Sequence, residues 1–394
     1  MLPFQIVMGV TSGSIGAIIT VIGELRDELG FRDSSVGIIV AAGFLASFVA
    51  QIVLSPFADR GHGRRMAVTG IALSAIALFA MTTADAVGIW IASRALLGFA
   101  GGLLLPGLRR AATVLDPERA GENLGRLIVG EIIGFVMGPI AAALLAAIGG
   151  VRLPFMVFAI GMAAFLPFVA RMPADQGQLT RRTRQSADLL RHRRLQGALL
   201  LIFGYFFLIG AFEAVLPLMF VDRGGGALET GIGFTIFAIP IAIVSTRAGR
   251  TADRLGPARV ATWGMAISAA VSFSYGLIPG IWPVVAVMTV AGVADGYGFT
   301  AGQVAVSRAV PEARQAGALG LMGAAEVLGA GIAALPAALM YEAWGAGPTW
   351  IAASAASLVC LFAGHLRLRG TDPVSPPQPP LGWTPTELNL APPE

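Results

Sequence analysis

Two stretches of the chain decide its organisation: Ser55-Pro-Phe-Ala-Asp-Arg-Gly-His-Gly-Arg-Arg65 and Gly249-Arg-Thr-Ala-Asp-Arg-Leu-Gly-Pro-Ala-Arg259. They match at an offset of 194, and the same offset places Gly37 on Gly231. Glu131 and Glu326 match at an offset of 195. Each stretch lies between long apolar runs. A repeat at this spacing predicts two related halves that pack against each other.

The composition excludes most other classes of protein. Of the 394 residues, 56% are apolar and 13% are charged, and the mean hydropathy is +0.76. A soluble protein carries about 25% charged residues, so a soluble globular fold and a disordered chain are both excluded. Cys360 is the single cysteine, which excludes a disulfide-rich secreted domain. A membrane protein with many spans remains.

Twelve apolar windows follow one another along the chain. Each is about as long as a helix that crosses the hydrocarbon core, and only helices satisfy their backbone groups internally at such lengths in lipid. The sequence therefore predicts an all-α membrane protein of twelve transmembrane helices in two pseudo-symmetric six-helix bundles. The windows fall at 4–23, 35–57, 66–86, 87–108, 127–148, 153–170, 197–220, 230–248, 260–280, 281–307, 317–340 and 348–366.

The polar segments divide the chain into four predicted parts. Residues 1–170 form the N-terminal six-helix bundle and 197–369 the C-terminal one. Residues 171–196 form a basic cytoplasmic linker whose part Ser186–Gln196 is expected to be a short surface helix. Residues 370–394 hold eight prolines and are predicted to be a disordered cytoplasmic tail.

Arginine placement predicts the orientation. All 27 basic residues are arginines, and 22 of them fall on one side if the N-terminus is cytoplasmic, against four on the other side and one inside a span. This bias predicts a multi-pass protein of the cell (inner) membrane with both termini in the cytoplasm. Phe4–Ile22 is interpreted as the first span and not as a cleaved signal. The positive charge is explained by the loops, so no nucleic-acid partner is expected.

The two repeated loops resemble the signature loop of the major facilitator superfamily, a G-x-x-x-D-R-x-G-R-R pattern. Glycines permit a tight turn between helices, and the aspartate can pair with arginines in one conformation and release them in another. The resemblance implies a fold of two six-helix bundles that alternate access to a central substrate site. It also implies a conformational gate at the two loops, formed by Asp59, Arg60, Arg64, Arg65, Asp253, Arg254 and Arg259. Simple anchoring of the topology by these arginines is the alternative.

Spans 4 and 5 carry two further motifs. Span 4 reads Arg94-Ala-Leu-Leu-Gly-Phe-Ala-Gly-Gly102 and resembles the family's intramembrane arginine followed by glycines. Span 5 reads Gly130-Glu-Ile-Ile-Gly-Phe-Val-Met-Gly-Pro139 and resembles the G-x-x-x-G-P motif of the twelve-span drug/proton antiporters. In that group the motif is thought to shape the interface of span 5 with the other half. Gly134, Gly138 and Pro139 are therefore gate candidates.

Charged groups inside spans are costly, so they are candidates for function. In the family's architecture spans 1, 4, 7 and 10 line the cavity, which places Arg94, Glu213 and Asp295 there. Glu213 and Asp295 are the predicted proton or cation sites, because a carboxyl in a site of low dielectric is costly to ionise. Arg94 and Glu213 have similar depths and are expected to pair, and a static ion pair without a transport role is the alternative.

Glu131 and Glu326 are expected at symmetric places on spans 5 and 11. Glu131 is predicted near the cytoplasmic gate, beside the glycines of span 5. Span 1 offers only Thr11, Ser12 and Ser14, with Glu24 at its outer rim. Coupling is therefore predicted to reside in the second half.

Two transport functions follow from these residues. The first is proton-coupled export of small amphipathic organic compounds. It is favoured by the aromatic and methionine side chains near the acids, namely Phe206, Phe207, Phe212, Phe299, Tyr297 and Met219. The second is a proton symporter or facilitator in which Arg94 binds a small organic anion.

An enzyme is not expected, because no HExxH, GxSxG or P-loop motif occurs. No cofactor and no metal are expected either. The predicted partners are a small-molecule substrate, protons and the lipid bilayer, and the protein is expected to be a monomer.

Overall fold

The predicted helices are all present in the computed structural model, which describes residues 2–114, 119–171, 186–311 and 314–369. Within these ranges there are twelve long helices and no strand, so the prediction of an all-helical protein is confirmed. Their bounds are α1 Leu2–Leu29, α2 Asp33–Phe57, α3 Gly63–Thr83, α4 Val87–Val114, α5 Ala120–Gly149, α6 Leu153–Ala170, α7 Arg193–Asp222, α8 Ala227–Leu255, α9 Pro257–Ser272, α10 Trp282–Ser307, α11 Gln315–Trp344 and α12 Ala346–Leu368.

Eleven helices in the described ranges are long and apolar enough to cross a membrane. The exception is α9, whose 16 residues span about 24 Å at 1.5 Å per residue. The predicted window ran to residue 280, but the chain leaves the helix after Ser272 and forms turns up to Gly280, where φ is +81°. Hydropathy alone missed this end because the turn residues include Tyr275 and Ile278, which are as apolar as helix residues.

The packing of the helices is the same in the two halves, α1–α6 and α7–α12. In the first half α1 packs on α5, α2 packs on α4, and α3 packs on α4 and α6. In the second half α7 packs on α11, α8 packs on α10, and α9 packs on α10 and α12. The main contacts between the halves are α2 with α11 and α5 with α8. Because α2 corresponds to α8 and α5 corresponds to α11, each of these contacts is the symmetry copy of the other. The predicted pseudo-symmetry is therefore confirmed.

The closest contacts between the halves repeat at the level of single residues. A methyl group built on Gly37 of α2 would lie 2.5 Å from Cβ of Ala338 on α11. A methyl group built on Gly231 of α8 would lie 2.7 Å from Cβ of Ala143 on α5. Since Gly37 matches Gly231 and Ala143 matches Ala338, one contact is the symmetry copy of the other. Only glycine permits the two halves to approach this closely.

The linker is described only at its end. Ser186–Arg191 forms a short 3₁₀ helix, and α7 begins two residues later, at Arg193. The predicted surface helix is therefore shorter than expected, because its last residues belong to α7. Most of the linker (172–185) and the predicted disordered tail (370–394) lie outside the described residues.

Candidate transport site

A charged pair lies buried between the two halves. Arg94 of α4 is 3% exposed and Glu213 of α7 is 8% exposed. Their charges interact electrostatically, although the two side chains do not form a direct ion pair. The guanidinium of Arg94 lies against Gly43 and 5.7 Å from the ring centre of Phe44. Among the described residues, Arg94 Nε and Glu213 Oε2 have no hydrogen-bond partner. The structure thus brings together the pair that the sequence predicted, with polar atoms left free.

A second charged group lies between the halves. Glu326 of α11 interacts electrostatically with Arg109 of α4 and with Glu131 of α5. Glu326 Oε1 is buried without a hydrogen-bond partner in the part of the chain that the structure describes. Glu131 and Glu326, predicted as symmetry-related positions, therefore lie close enough to interact electrostatically. Arg109 was missed by the sequence analysis, because it was counted only as a loop arginine that fixes the topology.

Asp295 occupies a different environment from the one expected. It is 1% exposed and lies within the C-terminal half, close to Tyr205 of α7 and Ser268 of α9. It does not share a site with Arg94 and Glu213. Tyr205 also interacts electrostatically with Glu326. Tyr205 was not identified from the sequence, since a lone tyrosine among apolar residues carries no charge signal.

The two repeated loops form turns that require glycine. Gly61 (φ +86°) lies in a π-helical turn, Ala58–His62, and Gly256 (φ +90°) lies between α8 and α9. This left-handed conformation is readily adopted only by glycine. In the first loop the Arg60 guanidinium lies 5.1 Å from the ring centre of Phe57.

The charged residues of these loops mostly face outward. Asp253 pairs with Arg308 at the end of α10 and not with an arginine of its own loop. The side chain of Asp59 lies outside the described residues. Four further gate candidates are exposed, namely Arg64, Arg65, Arg254 and Arg259.

The glycine stripe of α5 faces a different helix from the one the resemblance implied. Gly134 packs against the backbone of Gly9 on α1, and Gly138 packs against Gly13 of the same helix. The stripe therefore lies inside the N-terminal half. The carbonyl of Pro139 makes the contact with the other half, at Gly231. Periodicity indicated a smooth face correctly, but it could not indicate which helix lies on that face.

Two of the aromatic and methionine side chains near the predicted acids belong to the core of the C-terminal half. Phe212 is 4% exposed and packs with Phe234, Phe237 and Trp350 in the core of the C-terminal half. Met219 is fully buried. Both side chains therefore pack in the core.

Polar contacts join the halves at the predicted outer end. Arg26 of α1, only 8% exposed, binds Asp222 of α7 at 2.6 Å and Asp33 at 2.8 Å. Tyr341 of α11 donates a hydrogen bond to Asp222 at 2.6 Å. This group was missed because charges near helix ends resemble solvated loop residues in a sequence.

Two more carboxylates form contacts between the halves at the same end. The backbone N–H of Ala227, at the start of α8, donates to Glu24 Oε1 of α1 at 2.7 Å. A carboxylate is favoured at a helix N-terminus by the helix dipole. Glu342 of α11 pairs with Arg32 and accepts a hydrogen bond from the backbone of Ser34 at 2.9 Å. These contacts also join the two halves at the predicted outer end.

Comparison with known proteins identifies the family. The family model of the Major Facilitator Superfamily matches residues 5–233 and, in a second match, 198–392. The chain belongs to the Major Facilitator Superfamily. It is therefore a multi-pass membrane transporter of small molecules and not an enzyme.

Relatives within the family are distant. The multidrug resistance protein MdtG of Serratia proteamaculans is 27% identical over 276 residues, which cover 66% of each chain. MdtG of Proteus mirabilis is 26% identical over 278 residues, covering 65% of this chain and 67% of its own.

Solved structures share the fold of this chain. The nucleoside transporter NupG has a TM-score of 0.71 at 17% identity, covering 94% of this chain and 99% of its own. A bacterial homologue of the human lysosomal transporter Spinster, in an inward-facing and unoccupied conformation, has a TM-score of 0.73 at 16% identity and 93% coverage of both chains.

Proposed function

We propose that this transporter exports small amphipathic organic compounds in exchange for protons. The observation that carries the proposal is the buried pair of Arg94 and Glu213, which lies between the halves and leaves polar atoms free. A carboxyl at such a place can hold a proton in one conformation and lose it when water enters. The distant similarity to two multidrug resistance proteins supports an export function.

Protonation of Glu213 provides a physical means of coupling. When Glu213 is ionised, it is attracted to Arg94 and favours the conformation in which the two halves hold them close. When Glu213 is protonated, that attraction is lost and the conformations become closer in energy. The membrane potential adds about 2.3 kcal/mol per charge per 100 mV to an inward-moving proton. Asp295, Tyr205 and Glu326 form a second buried polar group that a proton could reach within the C-terminal half.

The test is flux in proteoliposomes with an imposed pH gradient. A panel of lipophilic cations such as ethidium is offered to the wild type, to Glu213→Gln and to Asp295→Asn. We expect gradient-driven flux in the wild type and a loss of about tenfold or more in Glu213→Gln. Glu122→Gln is the control, because Glu122 is exposed and pairs with Arg126 on its own helix. Flux that ignores the gradient, with both carboxyl variants equal to wild type, would overturn the proposal.

A second function rests on Arg94 itself. Its Nε is buried and no described residue accepts a hydrogen bond from it, which suits a carboxylate of a small organic anion. The chain would then be a symporter or facilitator of such anions. Arg94→Ala distinguishes the two readings. Loss of binding of an organic anion supports the second function, whereas retained substrate binding with lost coupling supports export.

The setting of this activity is also proposed. We place both termini in the cytoplasm and the protein in the cell membrane as a monomer, with bundle boundaries at 1–170 and 197–369. The asymmetric distribution of arginines supports this orientation. A cysteine placed at Arg32 should react with an impermeant maleimide from outside intact cells, and a cysteine at Arg191 should not.

A further inference from the structure

A stripe of unpaired arginines lies at the predicted cytoplasmic end of α8. Arg247, Arg250 and Arg254 are exposed and recur at helical spacing, so they share one face of the helix. With Thr251 and Tyr297 of α10 they line a cavity of about 270 Å³. Within the described part of the chain, no carboxylate pairs with these three arginines. Three positive charges around one cavity attract an anion.

The same face of α8 is apolar one turn away. Ile243 precedes Arg247 by four residues and is 64% exposed. Ile239 precedes Ile243 by one more turn and is also exposed. Arg247 follows Ala227 by 20 residues, or about 30 Å of helix, which equals the thickness of the hydrocarbon core. The isoleucines therefore face acyl chains, and the arginines lie at the level of the lipid headgroups.

An apolar groove adjoins the arginine cavity. It has a volume of about 530 Å³, runs between α8, α9 and α10, and shares Thr251 and Tyr297 with that cavity. Its walls include Trp263, Ile267 and Val290, of which Trp263 is 66% exposed. The groove thus begins beside the arginines and continues toward the middle of the membrane.

We propose that this surface is a binding site for an anionic phospholipid of the cytoplasmic leaflet. The headgroup phosphate lies among Arg247, Arg250 and Arg254, where guanidinium groups donate charge-assisted hydrogen bonds to its oxygens. One acyl chain lies in the groove along Trp263. A single lipid satisfies both features at once, since a free phosphate would leave the groove unexplained and a neutral lipid would leave the arginines unpaired.

The test is lipid binding to the purified full chain in detergent, measured by native mass spectrometry with phosphatidylglycerol. We expect Arg250→Gln/Arg254→Gln to weaken binding about tenfold or more. The charge-matched control is Arg191→Gln/Arg193→Gln, which removes two exposed arginines elsewhere on the cytoplasmic surface. Equal weakening by both double variants would show nonspecific attraction and overturn the proposal, as would no effect of the first.

Two further arms separate a lipid from a free anion. Trp263→Ala should weaken phosphatidylglycerol binding several-fold, and glycerol 1-phosphate, which has no acyl chain, should bind far more weakly than the lipid. Phosphatidylcholine should bind more weakly as well. If glycerol phosphate binds as tightly as the lipid and Trp263→Ala has no effect, the site takes soluble anions and the proposal is wrong.

Discussion

The two halves of this transporter share their packing and differ in their charges. Gly98 of α4 packs against the backbone of Gly43, and at the offset of 194 Gly292 of α10 packs against the backbone of Phe237. Three charged groups inside the helices do not follow this rule, although Glu131 and Glu326 do. Arg94 corresponds to Met288, Glu213 to Ile19, and Asp295 to Gly101.

This difference separates the residues that determine the fold from the residues that we expect to determine the function. Close contacts between backbones must be kept in both halves, because each half has to bury its helices in the same way. A charge in a membrane interior is costly wherever it lies, so it remains only where it serves a purpose. Most of the buried acids lie in the C-terminal half, and the buried arginine that faces one of them lies in the N-terminal half.

The largest effect is expected where the packing is duplicated. Gly98→Ala and Gly292→Ala both place a methyl group against backbone of the neighbouring helix. Overpacking of this kind costs about 1–3 kcal/mol, so both variants should unfold at clearly lower temperature in detergent. Gly101→Ala is the control, because a methyl group there meets no atom within 4 Å. If only one of the two variants unfolded at a lower temperature, the packing would not be equivalent in the two halves.

The next effect concerns the unduplicated pair. Arg94→Met introduces the residue found at the equivalent position of the other half and leaves Glu213 buried without its opposite charge. We expect loss of coupled transport and a lower free energy of unfolding. The double variant Arg94→Met/Glu213→Gln should recover part of that stability, with a coupling of about 0.5–3 kcal/mol. Strictly additive effects of the two substitutions would mean that the pair does not interact.

Opening of the protein between its halves at the predicted outer end should become more frequent when a contact there is lost. In a Cys360→Ala background, Thr235→Cys reports opening, because Thr235 is 9% exposed and bonds to the Val136 carbonyl across the interface. Asp222→Asn should raise the labelling rate by an impermeant maleimide several-fold. Asp85→Asn, which removes an outer ion pair within the N-terminal half, should not. Equal rates for both variants would argue against a gate at Asp222.

The smallest effect is expected at the linker. The Arg314 guanidinium, hydrogen-bonded at 2.6 Å, lowers the pKa of the Asp188 carboxyl below its usual value of 3.8. A lowered pKa in the folded state stabilises the protein above that value and ceases to do so as the pH falls through it. The difference in melting temperature between wild type and Asp188→Asn should be small, should shrink as the pH falls below the usual pKa of 3.8, and should disappear once the pH is below the lowered pKa of the folded state. A difference that persists in acid would mean that the ion pair is not its cause.

Much of this architecture could be predicted from the sequence. The helices could be predicted from the lengths of the apolar stretches, and the two related halves could be predicted from repeated residues such as Gly37 and Gly231. Arg94 and Glu213 were placed together because a residue's distance from the helix end gives its depth in the membrane. The contacts between side chains on different helices could not be predicted. These are the packing partner of Gly134, the enclosure of Asp295 by Tyr205 and Ser268, and the contacts of Arg26 at the predicted outer end. Hydropathy reports how deep a residue lies but not which helix it faces.

We propose that the charges outside the repeat couple transport to protons. Proton coupling is tested most directly by adding ethidium to proteoliposomes that contain a trapped pH-sensitive dye, without an imposed gradient. The account predicts substrate-dependent proton movement in the wild type and in Glu122→Gln, and none in Glu213→Gln. Ethidium transport without proton movement in the wild type, or unchanged proton movement in Glu213→Gln, would contradict it.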